Sequence, residues 1–178
     1  MDESRSLASK QLIKISPRLK EKINNLKIVV VGGGDDEENA KASAVEANEK
    51  CGDNTVILTG ARVDINKIVA VADLFVGVSR AALEAMAAGK NSIIAGNEGY
   101  IGLFDDTCLE VGIQTNFCCR GCRESTGELI YDDIIKYISL DDEKKKAMSE
   151  FCRKTVIDYY SVAKMTDDCC KAYDSLLK

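Results

Sequence analysis

Short apolar runs at residues 26–31, 55–59, 74–78 and 92–95 alternate with stretches that favour helix. Such alternation leaves few folds open. Strands joined through helices lie parallel, their crossovers are right-handed, and the helices cover both faces of the sheet. The chain therefore reads as α/β, a Rossmann-like three-layer α/β/α arrangement around a parallel sheet. In a sheet of this kind ligands gather at the carboxyl ends of the strands, so the residues that directly follow each run are the first candidates for function.

The chain opens on Leu7, Leu12, Ile15, Leu19 and Ile23, spaced for one helix face but interrupted by Pro17. Two short helices are expected, the second starting at Ser16-Pro17, where a proline suits the first turn. After the first strand, Gly32, Gly33 and Gly34 invite a dinucleotide-binding reading. It fails, because Glu37 stands where the third glycine of that fingerprint belongs and Asp35, Asp36, Glu37 and Glu38 would repel phosphates. Those carboxylates suit the start of a helix over residues 36–50. Asp64 caps a further helix over 64–71. The strand at 74–78 is apolar enough to be covered on both faces, and Ala81 to Ala88 form a small-residue helix stopped by Gly89-Lys90. Residues 108–127 read as irregular, and helices over 127–138, 141–159 and 161–177 are expected to cap the sheet.

Composition narrows the chemistry. With 46 % hydrophobic residues, 178 residues suffice for one domain with a real core. Lys and Arg number 24 against 29 Asp and Glu, a net charge of −5, and no basic run breaks the mixture, which argues against nucleic-acid binding. No apolar run approaches the roughly 18 residues of a membrane helix, and the first ten residues lack a signal-peptide core; a cytoplasmic location is expected. There is no histidine, so histidine bases, histidine metal ligands and Ser-His or Cys-His pairs are excluded. Of the eight cysteines, Cys118, Cys119 and Cys122 form CCRGC, and Cys169-Cys170 point about 100° apart on a helix, a poor pair of ligands for one ion. The cysteines read as small buried hydrophobes and one loop thiol, and the CCRGC segment as dispensable for ligand binding. No Asp-x-Asp pair exists to hold a divalent cation; no metal and no cofactor are expected.

The central stretch carries the chemistry. A helix starting at Ser79 on the carboxyl end of a strand presents the N–H groups of Ser79 to Ala82, with the Arg80 guanidinium beside them, and that geometry attracts phosphate. The alternative is plain: Ser79 caps the helix and Arg80 is solvated. Glu84, in the first turns of an otherwise apolar helix, is placed to turn its carboxylate toward the strand ends.

EAMAAGK, following an ADLFV strand and preceding an IIAGNEG loop, resembles the nucleotide-sugar-binding segment of family 4 glycosyltransferases of the GT-B architecture. The resemblance runs from about Lys27 through GELI, DDIIKYI and DDEKKKAM to the final helix. It implies the C-terminal, donor-binding half of a retaining enzyme that transfers a hexosyl group from a nucleotide-sugar to an acceptor, with residues 1–178 forming a single nucleotide-sugar-binding domain and the N-terminal acceptor domain lying outside this chain. By the same resemblance, Glu84 meets the ribose hydroxyls. Ser79, Arg80 and Ala81 face the diphosphate, and the turn at Gly33 and Gly34 lets diphosphate and sugar approach the backbone. The loop at Arg62 and Val63 holds the base, and Asn97, Glu98 and Gly99 face the transferred sugar, with Glu98 recognising hydroxyls. Arg5 matches a basic residue that contacts the diphosphate. Val76 stands eight positions before Glu84, where many members carry a further glutamate, and no catalytic residue is assigned. The strand that opens the donor half in the family is missing ahead of Leu7. Nucleotide-sugar epimerases of the same architecture need a histidine this chain lacks; a non-catalytic interaction or regulatory module is the alternative. Base, sugar and acceptor are not specified by these residues.

Overall fold

A computed structural model describes residues 6–176; Arg5 and Leu177 lie outside the described residues. In chain order the elements are α1 (Leu7–Lys20), β1 (Ile28–Val30), α2 (Glu37–Cys51), β2 (Val56–Leu58), α3 (Ile65–Val71), β3 (Leu74–Gly77), α4 (Ser79–Ala87), β4 (Asn91–Gly96) and β5 (Gly99–Leu103). A short turn of 3-10 helix (Asp106–Cys108), α5 (Leu109–Gln114), α6 (Gly127–Ile138), α7 (Asp142–Tyr160) and α8 (Val162–Leu176) complete it. The alternation of strand and helix is the one expected from the apolar runs.

The sheet is not one continuous parallel sheet. β1 pairs with β2 in parallel, β3 pairs with β4 in parallel, and β5 returns antiparallel along β4. β4 is the covered strand: all six of its residues are buried. Ile93 and Ala95 enter a core with Ile13, Leu19, Val30, Val56 and Ile130. Ile94 points the other way, into Ala82, Met86, Phe104, Phe117 and Cys152, as the two-residue period of a strand demands. α1, α2 and α6 thus cover one face and α4 and α7 the other. β3, expected to be covered on both faces, is only half-buried along its length, because β4 is its only strand partner among the described residues.

Further expectations are corrected. α1 is one helix through Pro17, not two. Proline brings no N–H to the Ile13 carbonyl four residues back, and the Ser16 hydroxyl donates to that carbonyl instead, at 2.8 Å. The glycine-rich stretch after β4 is a strand, β5, not an open loop. Its glycines let other groups approach: a Cβ on Gly102 would stand 2.8 Å from Asp133 Oδ2, the carboxylate that accepts the Leu103 N–H at 2.7 Å and ties β5 to α6. Residues 108–127 include α5. α8 does not cap the sheet, since none of its described residues is buried.

Candidate functional site at the carboxyl edge

Backbone geometry draws the loops after β1 and β2 together. Gly32 N–H donates to the Gly60 carbonyl at 3.0 Å, a pairing that uses φ of 135° at Gly32 and 66° at Gly60, values open to glycine at little cost. Gly33 lies against the neighbouring loop, where an added Cβ would stand 3.2 Å from Glu37 Oε2 and 3.5 Å from Ala61 N. Arg62 and Val63 follow on that second loop. Val63 is fully exposed, while the Arg62 guanidinium is held in a two-pronged pair by Asp64, at 2.8 Å for each bond. The pairing raises the Arg62 pKa and lowers that of Asp64.

The acidic run after Gly34 does not act as a row of helix caps. Asp36 turns inward and is 3 % exposed. Its carboxylate takes Lys10 Nζ at 2.7 Å, Asn39 Nδ2 at 2.9 Å and the Ser6 hydroxyl at 3.1 Å. The bond from Lys10, then that from Asn39, hold its pKa down to about 2 against the opposing effect of burial. Leu7 N–H donates to Asn97 Oδ1 at 3.3 Å. The start of α1 is therefore pinned between the loop after β1 and the loop after β4. Sequence reading missed Lys10 and Asp36; nothing in a run of four acids tells which one is buried.

At the start of α4 the expectation changes in part. Ser79 has φ of 58°, and its N–H is already engaged, donating to the Phe117 carbonyl at 2.7 Å. It neither caps the helix with its side chain nor offers that N–H to a ligand. The N–H groups of Arg80 and Ala81 follow in the first turn, where a helix has no acceptors of its own to give them. Arg80 and Glu84 stand one turn apart on the solvent side, at 90 % and 55 % side-chain exposure, and pair at 3.3 Å; Ala81 is exposed between them.

The CCRGC segment is not remote from these residues. The Phe117 carbonyl holds Ser79, Arg120 pairs with Glu98 at 3.0 Å, and a Cβ on Gly99 would collide with the Cys119 carbonyl at 2.5 Å. Arg123 lies over the Tyr100 ring, 4.9 Å from its centroid. The segment underlies both the β4–β5 turn, Asn97-Glu98, and the start of α4. Gly99 is enclosed by that segment rather than open to a ligand. Burial raises the Cys119 thiol pKa to about 12, which suits a packed hydrophobe. Among the described residues no group of His, Cys, Asp or Glu could hold a metal ion, and no helix is long and apolar enough to cross a membrane.

The arrangement is thus a rim of loops at the carboxyl edge, where Arg62, Arg80 and Arg120 are each held by a carboxylate of their own. The sequence profile of the family described as "Glycosyl transferases group 1" matches residues 4–107, more than half of the chain. The chain belongs to that family. Its fold agrees: it is similar to S. aureus TarM, a mutant solved in complex with fondaparinux, alpha-GlcNAc-glycerol and UDP, with a TM-score of 0.70 and 15 % identity over 96 % of this chain and 33 % of TarM. It is also similar to a glycosyltransferase from Rickettsia africae, with a TM-score of 0.65 and 20 % identity over 94 % of this chain and 44 % of the other. The group 1 glycosyltransferase chain therefore spans a third to somewhat under half of these solved structures, and its fold is that part of a GT-B enzyme. No curated protein matches it.

Proposed function

We propose that this group 1 glycosyltransferase domain binds the nucleoside diphosphate of a nucleotide-sugar donor along the carboxyl edge, as the donor half of a retaining hexosyltransferase completed by an acceptor domain. The observation that carries the reading is the pair Arg80–Glu84 on the solvent side of the first turns of α4. A diphosphate at the helix start takes the Arg80 guanidinium and the N–H groups of Arg80 and Ala81; Glu84, released from Arg80, accepts from the ribose hydroxyls. Arg62 and Val63 flank the base, and the close-packed turn at Gly33 and Gly34 admits the sugar end.

The chemistry asked of these groups is electrostatic. As the bond from the anomeric carbon to the diphosphate oxygen breaks, negative charge grows on the leaving group, and fixed N–H dipoles with a guanidinium stabilise it. Because Ser79 N–H is committed to Phe117, this task falls on Arg80 and Ala81. That TarM was solved with UDP supports the choice of ligand class. Calorimetric titration with UDP, GDP, ADP and their sugar conjugates tests the reading. Glu84→Gln should weaken the best ligand about 10- to 150-fold, the worth of a hydrogen bond to a charged group, with an unchanged melting curve. Equal affinity in the folded variant would remove the assignment.

A further inference from the structure

The segment beneath the carboxyl edge carries three thiols, Cys118, Cys119 and Cys122, on an unusual backbone. Asn116, Phe117 and Cys119 take φ of 50°, 56° and 63°, and Gly121 takes 79°. The left-handed region is costly for residues other than glycine, and two of these are held there by their packing. Phe117 is fully buried, edge-on to Phe104 and Tyr160 with ring centroids 5.2 and 5.8 Å away. Cys119 is fully buried too, its Sγ 3.7 Å from the Ile94 carbonyl.

Two of the thiols converge. Cys122 N–H donates to the Cys119 carbonyl at 3.0 Å, closing a turn whose third residue, Gly121, supplies the positive φ that a type II turn requires there. The Cα atoms at the ends of such a turn lie within about 7 Å, and a disulfide spans about 4.4–6.8 Å. Side-chain direction agrees. Cys119 belongs to the apolar cluster of Ile94, Phe104 and Cys152, and Cys122 packs against that same cluster. Gly99 makes the room, since a Cβ there would stand 2.5 Å from the Cys119 carbonyl and 3.2 Å from Cys122 Cβ. Cys118 turns elsewhere, its Sγ 3.6 Å from the Asn116 carbonyl. Burial, then the neighbouring Cys122 sulfur, raise the Cys119 pKa, so Cys119 is the slower thiol of a close pair.

We infer that Cys119 and Cys122 are a redox pair, joined by exchange with a small-molecule disulfide of the glutathione class, and that their bond locks the segment on which the carboxyl edge rests. Cys122, the half-buried member, is the one a small molecule reaches. It gives its proton to water, and its sulfur attacks one sulfur of the small disulfide; a mixed disulfide forms and one thiolate leaves, taking up a proton. Cys119 then gives up its own proton and attacks Cys122 Sγ, and the second thiolate leaves and is protonated. Two cysteine thiols are thus oxidised by two electrons, and the small disulfide is reduced to two thiols. The bond lies two residues beyond Phe117, whose carbonyl holds the Ser79 N–H at 2.7 Å, and it brackets Arg120, which pairs with Glu98 at 3.0 Å. Oxidation therefore stiffens the support of α4 and of the β4–β5 turn together, whichever ligand the edge takes.

The test equilibrates the chain with glutathione disulfide, blocks the remaining thiols and digests with trypsin. Trypsin cuts after Arg120, between the two cysteines, and after Arg123, so the bond shows as residues 91–120 joined to residues 121–123. That linked pair is expected in the unaltered chain and in Cys118→Ser, and is lost in Cys122→Ser. Closure of so short a loop should raise the melting temperature of the oxidised chain by about 4–7 °C over the reduced one. The Ser79 N–H should exchange severalfold more slowly, and Cys122→Ser should show neither change. Absence of the linked pair, a glutathione adduct on Cys122 that never resolves, or a bond from Cys122 to any other cysteine would overturn the inference. So would a linked pair that leaves melting and Ser79 exchange unchanged. Fragmentation of the linked peptides from the unaltered chain tells Cys119 from Cys108 and Cys118, which keeps the test decisive if a variant fails to fold.

Discussion

At the scale of single residues, Arg80 and Glu84 satisfy each other on the surface, an arrangement worth little to stability in water and so free to be exchanged for a ligand. The two should separate by ligand. Arg80→Ala should weaken a nucleoside diphosphate about 10- to 150-fold, as expected for lost hydrogen bonds to a charged group, and leave the bare nucleoside unaffected; Glu84→Gln should weaken both. Titration of each variant with the diphosphate and with the nucleoside checks this, and equal losses for both ligands in Arg80→Ala would dissociate the arginine from the diphosphate. Asp36 makes the opposite kind of pair, buried and held by Lys10, Asn39 and Ser6. Its folded pKa of about 2 lies below the roughly 3.9 of an unfolded aspartate. The folded state therefore gains from its ionisation, in full above about pH 5, and loses that gain as pH falls toward 2. Asp36→Asn should lower the melting temperature at pH 7 and flatten the acid limb, the two proteins converging near pH 2. Parallel curves at all pH values would show that Asp36 is not the titrating group.

At the scale of elements, Ser16 and Pro17 should behave as one unit. Ser16→Ala leaves the Ile13 carbonyl without the hydroxyl that serves it, a loss of about 1–3 kcal/mol for a buried acceptor. Pro17→Ala supplies a backbone N–H for the same carbonyl, so urea unfolding of the double variant should recover most of the loss; additive effects would deny the coupling. This pair also marks where sequence reading stopped. A proline in mid-pattern signals a break unless one knows that the preceding serine can serve the orphaned carbonyl. The helices over residues 127–138 and 64–71 were legible, although the Asp64 carboxylate expected to cap the second is taken by Arg62 and makes no cap bond, and β1 to β4 were legible from their apolar runs. β5 was not, because Gly99 and Gly102 look like loop until the Cys119 carbonyl and Asp133 are seen pressing on them. The loops of the carboxyl edge were legible as a set, since alternation alone places them there. The engagement of Ser79 N–H by Phe117 was not, for no local pattern announces a contact between segments so far apart in the chain.

At the scale of the whole molecule, the group 1 glycosyltransferase fold presents one wall of loops, and the chain spans 33 % and 44 % of the two solved structures it resembles. Transfer requires donor and acceptor held together in reacting geometry, a term that can account for about 7–11 kcal/mol of a barrier. On the reading proposed above, a single wall provides the donor's share: a guanidinium, first-turn N–H groups and a carboxylate for the ribose. The proposal therefore predicts weak binding of a nucleoside diphosphate by residues 1–178 with no sugar transfer, and binding that EDTA leaves intact, because the charge on the diphosphate is met by Arg80 and N–H dipoles rather than by a cation. Titration with and without EDTA, beside a transfer assay using radiolabelled donor, measures both. A strict need for Mg²⁺ or Mn²⁺ would mean that Arg80 and the α4 start are not the groups that neutralise the diphosphate, and turnover by the chain alone would mean that the carboxyl edge already carries its own acceptor site.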